Sequence, residues 1–416
     1  VSAVPGLAAE IEPALISRCI EELAAYGPHP EGGMRRLVYT PEWAAAVSHY
    51  TGWLTGAGLS VRRDAVGNIF GVAAGREPGP SILTGSHIDT ALRGGRYDGT
   101  LGVIAGYVAV RGLLLACGQP RRTLETTAIC DEESSRFHSN LWGSRAIAGL
   151  IDEGEAAAIV DRQGTSVAEA MRACGLDPAR IPEARRDDID AFVELHIEQG
   201  PVLEREGIPV GVVTAITGLE EIACVVVGRA DHAGGCPMDA RLDPMIAAAR
   251  MILEITRLAN ELGPPAVATV GQIAALPGSP NIVAAEVRFT IDARSPDPEE
   301  QPRFMPRLIE ACRVIAEAHG VRLRFERLAY QPPMPSTPEL VALIAAAAAD
   351  LAIPCREMVS GAGHDTQVLA QIGVRRAMIF VPSRAGLSHS PDEFTPLADI
   401  VLGIRVLAET LHRLAY

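Results

Sequence analysis

Apolar residues recur at helical spacing over residues 8–27 and again over 41–61, where the run closes on Gly and leads into a strand. A Gly/Pro loop, "GPHPEGGMRRL", separates the two predicted helices. Short apolar runs then alternate with one long one. "GNIFGVAAG" and "SILTGSHID" predict strands, "GTLGVIAGYVAVRGLLLACG" a buried helix, and "TLETTAICDEE" and "AFVELHIEQG" two more strands. Strands alternating with helices predict an α/β fold with a mostly parallel sheet. In such folds ligand-bearing residues belong at the carboxyl ends of strands. His87, Glu132 and His196 each follow an apolar, strand-like run.

The texture changes near residue 212. "EIACVVVGRAD", a helix over 243–263, "VATVGQIAA", "IVAAEVRFTIDARS", a helix over 301–320 and "VRLRFERLAY" follow in turn. That is the β-α-β-β-α-β order of a small ferredoxin-like unit. "QPPMPSTP" reads as a linker, after which the α/β pattern resumes and ends in a helix. The simplest organisation is an α/β domain, residues 1–212 and 332–416, interrupted by an inserted α+β domain over 213–331. No internal repeat or low-complexity tail is visible, and the Ala run at 345–349 suits a helix.

Composition narrows the class. With 416 residues, two domains are expected. Apolar residues make up 48 % and charged residues 21 %, a globular balance. The longest apolar stretches carry Gly and stop short of a membrane span. No basic n-region with an apolar h-region opens the chain, although Val1 is not a start Met and leaves room for a removed leader. A net charge of −14 argues against nucleic acid or an anionic membrane as partner. The eight Cys form no CxxC pair, so reduced thiols and a cytoplasmic setting are expected.

Against this background the polar residues at strand ends stand out. His87, Asp89, Asp98, Glu132, Glu133, His196 and His389 come from four separated segments. Imidazole with carboxylate and no thiolate suits Zn, Mn, Co or Ni. The set is sized for two ions sharing a carboxylate, which together acidify a water and polarise a carbonyl. Glu132 and Glu133 are adjacent, so one can bind metal while the other faces the water as general base. Alone, an HxD is usually a turn or cap, and an EE pair a solvated face. Here both sit beside apolar strands instead of on charged helices. His29, His49, His319 and His412 read as solvated helix or loop positions; His138, close to the Glu pair, is a candidate for the pocket mouth.

Together, "GSHIDT…GGRYDGTLGVIAG", "DEESSRF…GSRAIAG", "ELHIEQGPVLE", "GRADHAG…PMDARLD", "SGAGHDTQ" and "GLSHSPDEF" resemble the M20 metallopeptidase superfamily. Within it they resemble the hydantoinase/carbamoylase branch, which holds N-carbamoyl-L-amino-acid hydrolases, allantoate amidohydrolases and yeast-type β-ureidopropionase. The resemblance implies metal ligands His87, Asp98, Glu133, His196 and His389, with Asp98 bridging two ions and Glu132 as general base. It implies that Asp89 orients a ligand imidazole, and that the inserted domain is a lid and dimerisation domain. His232 would reach across a homodimer to the substrate carbonyl. Asn281 and Arg294 would bind a substrate carboxylate, which an Arg fork suits. Gln199, Gly363 and His364 would complete the pocket.

Several places depart from that pattern, among them the segments "FHSNLWGSRAI" and "ITGLEE". Gly235 and Cys236 stand where two Thr are usual, and Ser134 where a Gly is usual. The expected activity is hydrolysis of the N-carbamoyl (ureido) group of a small carboxylated molecule, an N-carbamoyl-L-amino acid first, releasing ammonia and carbon dioxide. Allantoate or another ureido acid is the alternative, as is N-acyl-amino-acid deacylation or dipeptide cleavage on the same scaffold. A metal-free binding protein of this fold would not need Glu132.

Overall fold

The computed structural model describes Val4 and residues 6–416. The chain forms two compact units. The first comprises the described residues through Thr214, Ser336–Met358 and Ala362–Tyr416. The second comprises Ala215–Pro335 and Val359–Gly361.

The first unit is built on a mixed sheet. Four central strands, Leu124–Ile129, Ser81–His87, Ile189–Ile197 and Arg375–Val381, run parallel in that spatial order. Antiparallel strands flank them: Ile69–Ala73 and Ser60–Arg63 on one side, Val210–Ile216 on the other. The central strands are buried on both faces, as their near-continuous apolar runs predict. Pro13 interrupts the long helix expected over 8–27. Without an N–H it starts a new helix, Pro13–Ala24, after the short Leu7–Glu10. Residues 142–184, which carry no strong period, form short helices.

The helix Thr100–Cys117 is apolar enough to cross a membrane, with mean hydropathy 1.8, yet 72 % of it is buried inside the fold. It lies against the sheet because Gly102 and Gly106 let it approach. A Cβ on Gly102 would come within 2.4 Å of the Leu195 carbonyl oxygen, and one on Gly106 within 2.6 Å of Thr126 Oγ1. All eight cysteines are free thiols.

The second unit has a five-stranded antiparallel sheet. Its order is Ile273–Leu276, Glu286–Ser295, Gly218–Val227, Arg322–Gln331, with Val267–Thr269 also pairing Glu286–Ser295. With the helices Pro244–Leu262 and Gln301–Ala318 this is the ferredoxin-like order read from the sequence. Alternation decides which face is covered. Ile222, Cys224 and Val226 and their neighbours Phe289 and Ile291 pack with Met251, Ile255, Phe304 and Leu308 from the helices. A two-stranded ribbon, Asp231–His232 with Ile282–Val283, stands apart from the sheet.

Candidate metal centre

The carboxyl ends of the four parallel strands converge. Ser81–His87 ends in His87, Leu124–Ile129 leads into the Glu pair, and Ile189–Ile197 presents His196. The segment after Arg375–Val381 returns His389.

Asp98 lies at the centre. His196 Nε2 is 3.2 Å and His87 Nε2 3.5 Å from its Oδ1, while His389 Nε2 is 3.6 Å from its Oδ2. His389 Nε2 is also 3.2 Å from Glu133 Oε2. Two ligand triads therefore share one carboxylate: His87, Asp98 and His196, and Asp98, Glu133 and His389.

The imidazoles are set for this. His196 Nδ1 lies 2.9 Å from the Ile197 carbonyl and His87 Nδ1 3.1 Å from the Asp89 carbonyl. Each Nδ1 can donate there and leave Nε2 as the ligand atom. Gly99, at φ +63°, admits His87, because a Cβ there would fall 2.1 Å from the ring. Its N–H now donates to His196 Nε2 at 3.1 Å.

The donor set fits divalent ions on the structure's own terms. Nitrogen and oxygen donors converge without thiolate. Glu133 Oε1 is buried with no hydrogen-bond partner, which a cation would resolve. Burial, opposed by His87, pushes the Glu132 carboxyl well above the usual range, and burial with the charge of Asp98 does the same to Glu133. Asp98 goes the other way: burial raises it, but His196 and His87 hold it well below that range. Bound cations would draw the raised carboxyls back toward ionisation.

Glu132 Oε2 sits 3.7 Å from His87 Nε2, beside the first triad and outside both. Asp89 holds the Glu pair in place, accepting the N–H of Glu132 at 3.2 Å and of Glu133 at 3.1 Å. Its carboxylate is 3.8 Å from His87 Nδ1, so its carbonyl is the nearer partner of the imidazole.

The pocket residues separate. Gln199, at φ +56°, donates from Nε2 to Asp98 Oδ2 at 2.8 Å. The His364 ring, fully buried, meets His196 edge-on at 4.5 Å between centroids, and burial lowers its basicity well below the usual range. A Cβ on Gly363 would press within 3.1 Å of Gln367 Oε1. His138 is exposed. His232, Asn281 and Arg294 belong to the second unit. There Arg294 Nε and Nη2 grip Asp292 at 2.9 Å each and Nη1 donates to the Gly361 carbonyl at 2.8 Å. Asn281 Oδ1 accepts from Ser279 Oγ at 2.6 Å.

Several contributors escaped the sequence reading. Glu393 Oε1 accepts the N–H of Tyr97 at 2.8 Å and of Asp98 at 3.0 Å, fixing the bridging residue's backbone. Burial and the charge of Asp98 push its carboxyl up to about 7. Ser388 donates to Asp98 Oδ2. Glu194 accepts from Ser86 and Thr366, each at 2.6 Å, behind His196 and His364. Glu393 stands within "SPDEF" with no local sign of its partners, and Glu194 looked like one more residue of a buried strand.

The sequence profile of the peptidase family M20/M25/M40 matches residues 83–413. The chain belongs to this family. Like other M20 metallohydrolases it is a metal-dependent hydrolase. It is 41 % identical to the N-carbamoyl-L-amino-acid amidohydrolase of Paenarthrobacter aurescens, over 95 % of this chain and 96 % of that one. It is 39 % identical to the allantoate amidohydrolase of Bacillus subtilis, over 96 % and 97 %. A hydantoinase/carbamoylase family amidase from Burkholderia ambifaria has the same fold, with a TM-score of 0.90 at 35 % identity over 97 % and 98 % of the two chains. These relatives place the M20 chain among hydrolases of linear amide C–N bonds.

Proposed function

We propose that this M20 hydrolase cleaves the ureido group of a small carboxylated molecule, an N-carbamoyl-L-amino acid first and allantoate as the alternative. The observation that carries the reading is the pair of triads sharing Asp98, together with the amidohydrolase relatives. His87, Asp98 and His196 on one side and Asp98, Glu133 and His389 on the other would hold two divalent ions, Zn, Mn, Co or Ni. When bound, the ions supply Lewis acidity to the carbonyl and to water near neutral pH.

The protein's own groups do the rest. Glu132 takes a proton from the attacking water and returns it to the leaving nitrogen. The ureido acid and one water become amino acid, ammonia and carbon dioxide. Asp89 keeps the Glu pair aimed, and Glu393 and Ser388 keep Asp98 aimed. The inserted unit, about residues 213–331, acts as lid and dimerisation domain, and His232 of one protomer donates to the carbonyl oxygen in its partner's site.

The test is an ammonia-release screen of Mn- or Zn-loaded protein against carbamoyl amino acids, allantoate, N-acyl amino acids and dipeptides. Ammonia from one ureido acid class is expected. Dipeptide or acyl cleavage with no ammonia from any ureido acid would reject the reading.

Two finer points have their own tests. Asn281 and Arg294 bind the substrate carboxylate, with Arg294 exchanging Asp292 for it. Arg294→Lys keeps the charge and loses the fork, so KM for carboxylated substrates should rise about tenfold with kcat little changed. An unchanged KM would make Arg294 a partner of Asp292 only.

For the dimer, Glu132→Ala and His232→Ala damage different halves of a site built from two chains. Refolding them together should give mixed dimers with one intact site each, and about a quarter of wild-type activity for random pairing. Mixed dimers without activity would return His232 to its own chain or remove it from the reaction.

A further inference from the structure

The loop that carries His232 has a hydrogen-bond arrangement that fixes the proton on its ring. The Gly235 N–H donates to His232 Nδ1 at 2.9 Å and the Gly234 N–H donates to the same atom at 3.1 Å. An Nδ1 that accepts two backbone N–H groups must present its lone pair. A neutral imidazole carries one N–H, which then lies on Nε2. The Nδ1–H tautomer would turn a third N–H against the two donors.

The loop is held so that these amides stay in place. Arg241 Nη2 donates to the Ala233 carbonyl at 2.5 Å, and its Nε and Nη2 both reach the Cys236 carbonyl at 3.1 Å. The guanidinium thus ties the two ends of the segment that supplies both N–H groups. Asp231 Oδ1 accepts the His232 N–H at 2.8 Å, and Arg229 pairs with Asp231 at 3.3 Å. The ribbon anchors the other side, with the Ala233 N–H donating to the Asn281 carbonyl at 3.0 Å. Gly235 stands where the resemblance leads one to expect Thr, and this arrangement uses only its backbone. The ring lies over it, 3.4 Å from where a Cβ would be, so the position takes a small residue without strain.

We propose that His232 is locked as its Nε2–H tautomer by the amides of Gly234 and Gly235, with Arg241 as the positioning residue, and acts as a hydrogen-bond donor only. It carries no proton in the reaction. Proton transfer then rests with Glu132 alone, and the imidazole offers the substrate oxygen one fixed donor. This rests on the reading that His232 meets the substrate; the tautomer itself does not depend on it.

The test uses the metal-loaded full chain labelled with [15N]histidine, the His232 signals being identified by their loss in His232→Gln. At about pH 8, above the ordinary imidazole range, the proton is expected on Nε2. In Arg241→Ala the Nδ1–H form should appear and kcat fall, with metal content unchanged. Kinetics separates donor from proton carrier. A Gln amide nitrogen reaches roughly the Nε2 position and an Asn nitrogen only the Nδ1 position. His232→Ala and His232→Asn should lose about 10²–10³-fold in kcat, the size of one removed oxyanion donor, and His232→Gln should recover at least about tenfold. An Nδ1–H signal in the wild type, or a Gln variant no better than Ala, overturns the proposal while leaving the metal centre and substrate class untouched. A wild-type rate in His232→Ala overturns the proposal together with the role assigned to His232.

Discussion

Glu132→Gln should keep its metal and lose about 10³-fold in turnover. The Gln side chain has the same length and shape, so the Glu pair stays on its Asp89 anchors, which touch backbone N–H groups and not the exchanged atoms. What disappears is a group that accepts a proton from water, and positioned general bases contribute about 10²–10⁴-fold. Glu133→Gln, one residue on, behaves differently. Its carboxylate stands 3.2 Å from His389 Nε2 in the second triad, so the amide weakens metal binding itself. Metal analysis and initial rates on the two purified variants check this. If Glu132→Gln loses the metal and Glu133→Gln keeps it, the two roles are exchanged.

Asp98→Ala has the widest effect expected of any single substitution. Asp98 is the only residue common to both triads, and its two oxygens face different imidazoles. Its removal leaves His87 with His196, and His389 with Glu133, as separate pairs. Ion content should fall below one per chain and ammonia release by at least about 10³-fold, since both Lewis-acid positions go together. Circular dichroism should stay native, because Asp98 supports no strand. His87→Ala and His389→Ala should each weaken one ion more than the other. Full occupancy in Asp98→Ala would show that the shared carboxylate is a hydrogen-bond acceptor for Gln199 and Ser388 and nothing more.

Much of this was legible in the chain because buried strands announce themselves. "SILTGSH" and "FVELHI" are apolar runs with a His at or next to the end, which stands out in a strand buried on both faces. The ferredoxin-like unit was visible for a related reason. Its strands alternate and its helices keep a 3.6 period, so Ile222, Cys224 and Val226 could be read as one face. Pairings between distant segments were harder. Nothing near Glu393 says that it will cap the backbone of Tyr97 and Asp98 nearly three hundred residues away. For Asp89 the resemblance implies a place beside the His87 ring, and its carboxylate lies 3.8 Å from Nδ1; that it also accepts the backbone N–H groups of Glu132 and Glu133 is a long-range contact the sequence does not show. The break at Pro13 was local and readable, yet the helical period on both sides hid it. The proton position on His232 depends on how two glycine amides fold back, which no residue type reports.

The central claim is that the two triads sharing Asp98 would hold two ions that ureido hydrolysis requires, and one titration tests it most directly. Protein stripped with a chelator is given Mn or Zn in measured equivalents, and ammonia release from an N-carbamoyl-L-amino acid and from allantoate is followed at each step. Bridged two-ion catalysis gives no release without metal and a rate that climbs to a plateau at two equivalents per chain. Full activity at one equivalent, or in the stripped protein, would contradict it.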